Sequence, residues 1–271
     1  MPNDALRMTP SRHARPGLLA HATAVTATAL LLAACGGGGG DDGQTESGLV
    51  PTPPALGATL YADATAVRPL VAGASWQYRG TTPGNAAYVS TVTHTSATPG
   101  VLESATNTFN QGASSVHVAV VNGNVVQPDA EDIDGDGVND ISNAIELRSP
   151  VRVGDQIVFF DKRLPGAVQD VDLDGRAETL DFAVYSQVIG AEDVALTGLP
   201  TQHAVRVDHV IAFRFVLSKD NSTTPTYKTT QSIWYAPSLG VVRRRLDTPN
   251  ANLVDRDISD ERLTGWAGLP G

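Results

Sequence analysis

Two short runs of alternating carboxylates carry the chemistry of this sequence. Asp132-Ile133-Asp134-Gly135-Asp136-Gly137-Val138-Asn139-Asp140 and Asp170-Val171-Asp172-Leu173-Asp174-Gly175-Arg176-Ala177-Glu178 share the spacing Asp-x-Asp-x-Asp-Gly-x-x-acid, and the second begins 38 residues after the first. Carboxylates on alternate residues of a tight loop converge on one point, the glycine allows the sharp turn at the sixth position, and a hard cation taking six to eight oxygens suits such a cage. Without an ion, three like charges a few ångströms apart repel. A single Asp-Gly pair would leave an Asx-rich solvated turn as the better reading; two full copies of the motif point to calcium. Magnesium, with its stricter geometry and retained waters, fits less well.

The expected ligands are the first, third and fifth side chains of each loop, Asp132, Asp134 and Asp136, then Asp170, Asp172 and Asp174. The seventh residue, Val138 or Arg176, would offer a backbone carbonyl, and the ninth, Asp140 or Glu178, would bind directly or through water. The loops resemble EF-hand and thrombospondin type 3 calcium loops, with two departures. Position twelve, where an EF-hand carries a bidentate Glu, holds Asn143 in the first loop and Asp181 in the second, and the flanks read as strands. Asp181 is therefore expected as a sixth ligand group, which makes 170–181 the better-furnished site; 132–143 would complete its shell with Glu131, Glu146 or water.

Other chemistry is poorly supplied. The 271 residues include 29 acids against 19 basic groups, and the balance of −10 disfavours nucleic acid and favours cations. A single cysteine excludes an intrachain disulfide framework and a multi-cysteine metal site. Gly-x-Ser-x-Gly, Gly-x-x-x-x-Gly-Lys and His-Glu-x-x-His are all missing, so hydrolase, P-loop and zincin readings lack their main residues, and the chain reads as a non-enzyme. Arg243-Arg244-Arg245 reads as a solvated strand end rather than an anion patch, although alternation sets Arg244 on the opposite face from its neighbours. Trp76, Trp234 and Tyr235 read as core and rim packing before a lipid-lined concavity.

The lone cysteine has a special place. Arg7, Arg12 and Arg15 lead into the apolar run Leu18 to Ala34, which has the length of a secretory signal core and ends in Leu32-Ala33-Ala34-Cys35. That ending resembles the lipobox of bacterial lipoproteins, whose cysteine is acylated, palmitate included, and becomes the new N-terminus. Two or more acyl chains would anchor the protein stably to a membrane. Gly36, where an Asp would signal inner-membrane retention, resembles the outer-membrane class. Removing 1–34 takes away three arginines and one aspartate and leaves a net charge of −12. Residues 35–57, glycine-rich and ending in Pro51-Thr52-Pro53-Pro54, read as a flexible tether.

From 58 to 271 the pattern is β. Period-two alternation recurs between Gly, Pro, Asn and Asp clusters, with strands expected at 75–79, 88–94, 101–109, 116–121, 124–126, 144–148, 156–162, 179–189, 203–218, 227–234 and 241–246. Asn122-Gly123 supplies the two positive-φ positions of a tight hairpin turn. Long antiparallel strands with one wet face predict a single curved antiparallel sheet, a half-barrel or partly open barrel, with a two-sheet sandwich as the second choice.

The order Val71-Ala72-Gly73-Ala74-Ser75-Trp76-Gln77-Tyr78, Val153-Gly154-Asp155, Val188-Ile189-Gly190-Ala191-Glu192-Asp193-Val194 and Trp234-Tyr235-Ala236-Pro237-Ser238-Leu239-Gly240-Val241-Val242 resembles a group of uncharacterised bacterial lipoproteins over roughly residues 70 to 245. Ser238 stands where that pattern usually has Gly. The resemblance implies a curved β half-barrel similar to the Lol-type lipoprotein carriers of the periplasm, and brings no catalytic residues. The expectation is a calcium-binding outer-membrane lipoprotein with a structural or binding role, its protein partner unspecified. The alternative is a carrier or sensor holding an apolar ligand in the concave face.

Overall fold

The structure, a computed structural model, describes residues 45–84, 86–108, 112–133, 138–168, 170–250 and 255–270. Among them are fourteen strands and one three-residue 3₁₀ turn, Ala64–Ala66, and no helix is long and apolar enough to cross a membrane. The strands are β1 (Thr59–Tyr61), β2 (Ser75–Thr81), β3 (Ala87–Thr98), β4 (Val101–Thr108), β5 (Gly112–Val121), β6 (Asn124–Gln127) and β7 (Ala144–Leu147), then β8 (Val151–Arg152), β9 (Gln156–Val168), β10 (Glu178–Leu196), β11 (Leu199–Val216), β12 (Tyr227–Ala236), β13 (Gly240–Pro249) and β14 (Arg256–Ala267). β1 pairs with β8; the other twelve form one antiparallel sheet in the order β7-β6-β5-β4-β3-β2-β14-β13-β12-β11-β10-β9, nearly closed into a barrel. The expected single curved sheet is what forms.

Alternation decides what faces inward. Along β11 the inward phase is Val205, Val207, His209, Ile211, Phe213 and Phe215, and the outward phase includes Arg206, Asp208, Ala212 and Arg214. The inner face has two apolar bodies. One gathers Trp76, Tyr78, Val205, Val242 and Leu263 around the 3₁₀ turn, whose Ala64 plugs that end together with Val67. The other is built from Phe160, Leu180, Phe182, Phe213 and Phe215. The hairpin turn between β5 and β6 is as expected, with φ of 52° at Asn122 and 80° at Gly123.

Because every neighbour in the large sheet is antiparallel, connections alternate between two ends. The β6–β7, β9–β10 and β11–β12 connections share one end, called here the acidic end because both carboxylate runs lie in them. The β3–β4, β5–β6, β10–β11 and β12–β13 turns lie at the other, beside the plug.

The chain is docked well before residue 58, inside the 35–57 span expected as a tether. Arg163 N–H donates to the Thr45 carbonyl (2.8 Å), Ser47 N–H to Asp161 Oδ1 (3.0 Å), and the Gln156 side chain to the Pro51 carbonyl (3.4 Å). Residues 45–51 thus run antiparallel to the edge strand β9. Leu49 is buried against Ala183, Tyr185, Val210 and Ala212 on the outer face. An apolar anchor inside a polar stretch is what the composition of the tether concealed.

Candidate functional site

The second acidic run is a compact cage. Asp170, Asp172 and Asp174 each place a carboxylate oxygen so that the three lie within 4.8 Å of one another. The backbone is folded to make this happen: Leu173 and Gly175 both take the left-handed region, φ 62° and 89°. Asp170 accepts from Asp174 N–H (3.0 Å) and Gly175 N–H (2.7 Å), Asp172 from Asp174 N–H (3.1 Å), and Asp174 from Arg176 N–H (2.9 Å). The β11–β12 connection closes over it, with Ser218 Oγ donating to Asp174 (2.9 Å) and Lys219 N–H to Asp172 (3.3 Å).

Beneath the cage sits Glu178, fully buried. Its Oε2 accepts from Ser218 N–H at 2.6 Å and its Oε1 from Val171 and Asp172 N–H at 3.3 and 3.4 Å. Glu178 therefore ties two connections together from below, and is not a member of the three-carboxylate cluster. Among the described residues none of these four acids has an ion-pair partner. The expected seventh residue, Arg176, contributes its N–H to the loop and has an exposed side chain.

Asp181 does not serve the cage. Three residues into β10 it points to the outer face, where its carboxylate is buried between Arg163 (2.6 and 3.0 Å) and Arg214 (2.7 Å). Burial opposes its ionised form, but the two guanidiniums outweigh burial and hold the carboxyl below the usual carboxylate range. With both oxygens committed, the expectation of a sixth ligand there is corrected: register on the strand, not distance in sequence, fixes its partners.

The first acidic run is only partly described, since Asp134 and Asp136 lie outside the described residues. Its base is a bridge between Glu131 and Ile141. Asp132 and Val138 are exposed. Asp140, expected as the ninth-position ligand, instead accepts from Ile133 N–H (2.8 Å) and pairs with Lys162 of β9 (2.7 Å), so the loop is pinned across to the opposite edge strand of the sheet. Glu146, offered as a completing ligand, faces the barrel interior and is corrected likewise. Cys35 lies outside the described residues.

The interior holds polar groups that the pattern reading missed. Arg68 donates to Glu146 (2.9 Å), Tyr235 Oη donates to the same carboxylate oxygen (3.0 Å), and Arg68 Nη1 lies 3.4 Å from His94 Nε2. A second buried pair, Arg244 and Glu261 at 2.6 Å, has Arg244 over the Tyr78 ring and Ser90 donating to Glu261. The arginine run is thus no solvated strand end: Arg244 is buried, while Arg243 pairs outside with Asp260. Burial, with the Arg68 charge beside it, pushes His94 down to about 3, and burial lowers His209 despite nearby Glu146 and Asp208. The signal was available for Arg244 and His209, because each sits at the inward phase of an expected strand.

Between these pairs lies a cavity of about 50 Å³, lined by Arg68, Glu146, His209, Gln231, Tyr235 and Arg244 among others. At ~10–15 Å³ per water, it has room for roughly three to five. Trp76, Trp234 and Tyr235 are all buried, Trp76 donating to the Leu239 carbonyl and Trp234 to Glu192.

No protein-family model matches the chain, and no curated protein matches it. Among solved structures, it is similar to a candidate lipoprotein from Parabacteroides distasonis, at 18% identity and TM-score 0.42 over 76% of this chain and 100% of that one. It is also similar to a candidate exported protein with a YmcC-like fold from Bacteroides fragilis, at 14% identity and TM-score 0.38 over 74% and 99%.

Proposed function

We propose that the protein is a calcium-binding, non-enzymatic lipoprotein of the bacterial envelope, held in the outer membrane by acyl chains on Cys35, its barrel serving as a structural or binding module. One observation carries the calcium reading: Asp170, Asp172 and Asp174 converge above buried Glu178, and among the described residues no basic side chain ion-pairs with any of them. Concentrated like charge without a countercharge favours a hard divalent cation. The loop at 132–143 is the weaker site, because Lys162 already neutralises Asp140. Two features support the non-enzymatic reading: the interior charges are spent on one another as Arg68–Glu146 and Arg244–Glu261, and the cavity between them is small.

The test is linkage. An ion that binds only the folded form stabilises it by ~2.7 kcal/mol at a hundredfold excess over Kd, which for a domain of this size is ~5–10 °C in Tm. Calcium in place of chelator is expected to raise the melting temperature of the mature chain, and native mass spectrometry to report the bound ion. Asp172→Ala with Asp174→Ala removes most of the increment; Asp134→Ala with Asp136→Ala removes less. Superimposable melting curves with calcium and with chelator refute the reading.

A further inference from the structure

We infer that the acidic end of the barrel is a docking face for the phospholipid surface in which the protein's own anchor sits. The inference rests on the lipid anchor and calcium readings above and adds an orientation and a contact to them.

Among the described residues, the two most exposed large apolar side chains of the molecule both lie in the acidic connections: Leu173 at 87% and Val138 at 67%, with Val171 at 48% beside Leu173. Neither packing nor backbone calls for a leucine at 173. Its side chain is almost wholly in solvent, and φ of 62° is a conformation that asparagine or glycine adopts more easily. An apolar tip on a carboxylate cage is costly in water and favourable once it enters the headgroup–acyl boundary.

The path of the chain brings that end to the membrane. Thr45 pairs with Arg163, toward the acidic end of β9, and the segment then runs away from that end to β1 and β8 beside the plug. Only ten Cα–Cα steps separate Thr45 from Cys35. Fully extended they span at most about 33–36 Å. From Asp181, the partner of Arg163 in β10, to the β10–β11 turn beyond Leu196 is roughly 50 Å of strand at ~3.3 Å per residue. The anchor therefore reaches past the acidic tips with slack and falls short of the opposite end.

The charges of this end also fit. Asp170, Asp172 and Asp174 alone would repel lipid phosphates, whereas a bound divalent cation with open coordination positions attracts them. Arg176 and Lys219, both exposed beside the cage, can reach the same phosphates by long apolar stems.

The experiment uses the full lipidated chain in phosphatidylethanolamine–phosphatidylglycerol vesicles. Because acylation consumes the only native cysteine, Leu173→Cys accepts a single polarity-sensitive fluorophore, and Thr197→Cys in the β10–β11 turn gives the opposite end. The expected result in calcium is blue-shifted, brighter emission from position 173 and unchanged emission from 197, with chelator reversing the shift. A water-like signal at 173 while calcium still raises Tm overturns the docking face and leaves the calcium reading standing. A shift at 173 that survives chelator upholds the face and overturns the calcium part. Equal shifts at both positions overturn the orientation. A vesicle-free protein with a second label on Cys35 shows that the anchor reading itself has failed. A shift at 173 that depends on protein concentration in detergent assigns the tips to a second copy of the chain and refutes the inference. Val171→Asp with Leu173→Asp, at solvent-exposed positions, keeps the β spectrum and abolishes the lipid contact.

Discussion

Replacing Glu178 with alanine isolates what holds the cage together, and its cost follows from the three donors that end on this carboxylate. Ser218 N–H donates at 2.6 Å, a bond to a charged acceptor worth ~1.5–3 kcal/mol, whereas the 3.3 and 3.4 Å contacts from Val171 and Asp172 are weak and their donors rehydrate at the surface. With the cavity left by a fully buried side chain, the expected loss is about 3 kcal/mol, or ~6–12 °C in Tm for a domain of this size. Glu178→Gln keeps one acceptor oxygen and is expected to lose about half as much. The measurement is urea and thermal unfolding in chelator, so that no bound ion contributes, together with hydrogen exchange at the Ser218 amide, which should accelerate in Glu178→Ala. If Glu178→Ala stays within about 0.5 kcal/mol of the parent, the range of ordinary surface changes, Glu178 does not tie the two connections together.

Two further outcomes test the interior. His94 is buried edge-on to Trp76 at 4.6 Å and stays neutral down to about pH 3, whereas the unfolded chain protonates it near 6.5; the unfolded state then binds more protons between those values, so stability falls as pH drops through that window. Acidifying from pH 6.5 to 5 is expected to cost ~2 kcal/mol through this residue at ~1.4 kcal/mol per unit, measured as the difference in slope between the parent and His94→Gln, and identical slopes would sink the assignment. Asp181, held low by two arginines, loses its contribution in acid too, which is why the variant comparison is needed. For the buried pair, Glu261→Leu should cost ~3–5 kcal/mol by stranding Arg244, and adding Arg244→Met should return part of it. A double-mutant cycle with coupling below about 0.5 kcal/mol would mean the pair is energetically idle.

What could be seen in the sequence was the part written in period two. The strand with Phe213 and Phe215 and the Asn122-Gly123 turn announce themselves because each local preference agrees with the sheet. β14 was invisible because Arg256-Asp257-Ile258-Ser259-Asp260-Glu261-Arg262 reads as a charged surface run; its inward residue Glu261 is tolerated only because Arg244 meets it from β13. Leu49 and Ser47 were hidden in the same way, as docking points inside a tether composition. The carboxylate triad of the second acidic run was legible from spacing alone, since a loop ligand set is local. The partners of Asp181, Asp140 and Glu146 were not legible because each comes from elsewhere in the fold, Arg214 of β11, Lys162 of β9 and Arg68 beyond the 3₁₀ turn, which spacing along the chain does not reveal.

The two halves of the sheet are joined where its first long strand meets its last: β2 pairs with β14, so Tyr78 lies beside Leu263 and Arg79 beside Arg262. Contacts that distant in the chain form late, because the loop they close is nearly the whole domain. A chain in which residues 256–267 have not yet paired has β2 and β13 as bare edges and cannot complete its core. Completion of the sheet therefore waits on residues 256–267, and until they pair the two exposed edges are the part of the molecule most open to wrong association.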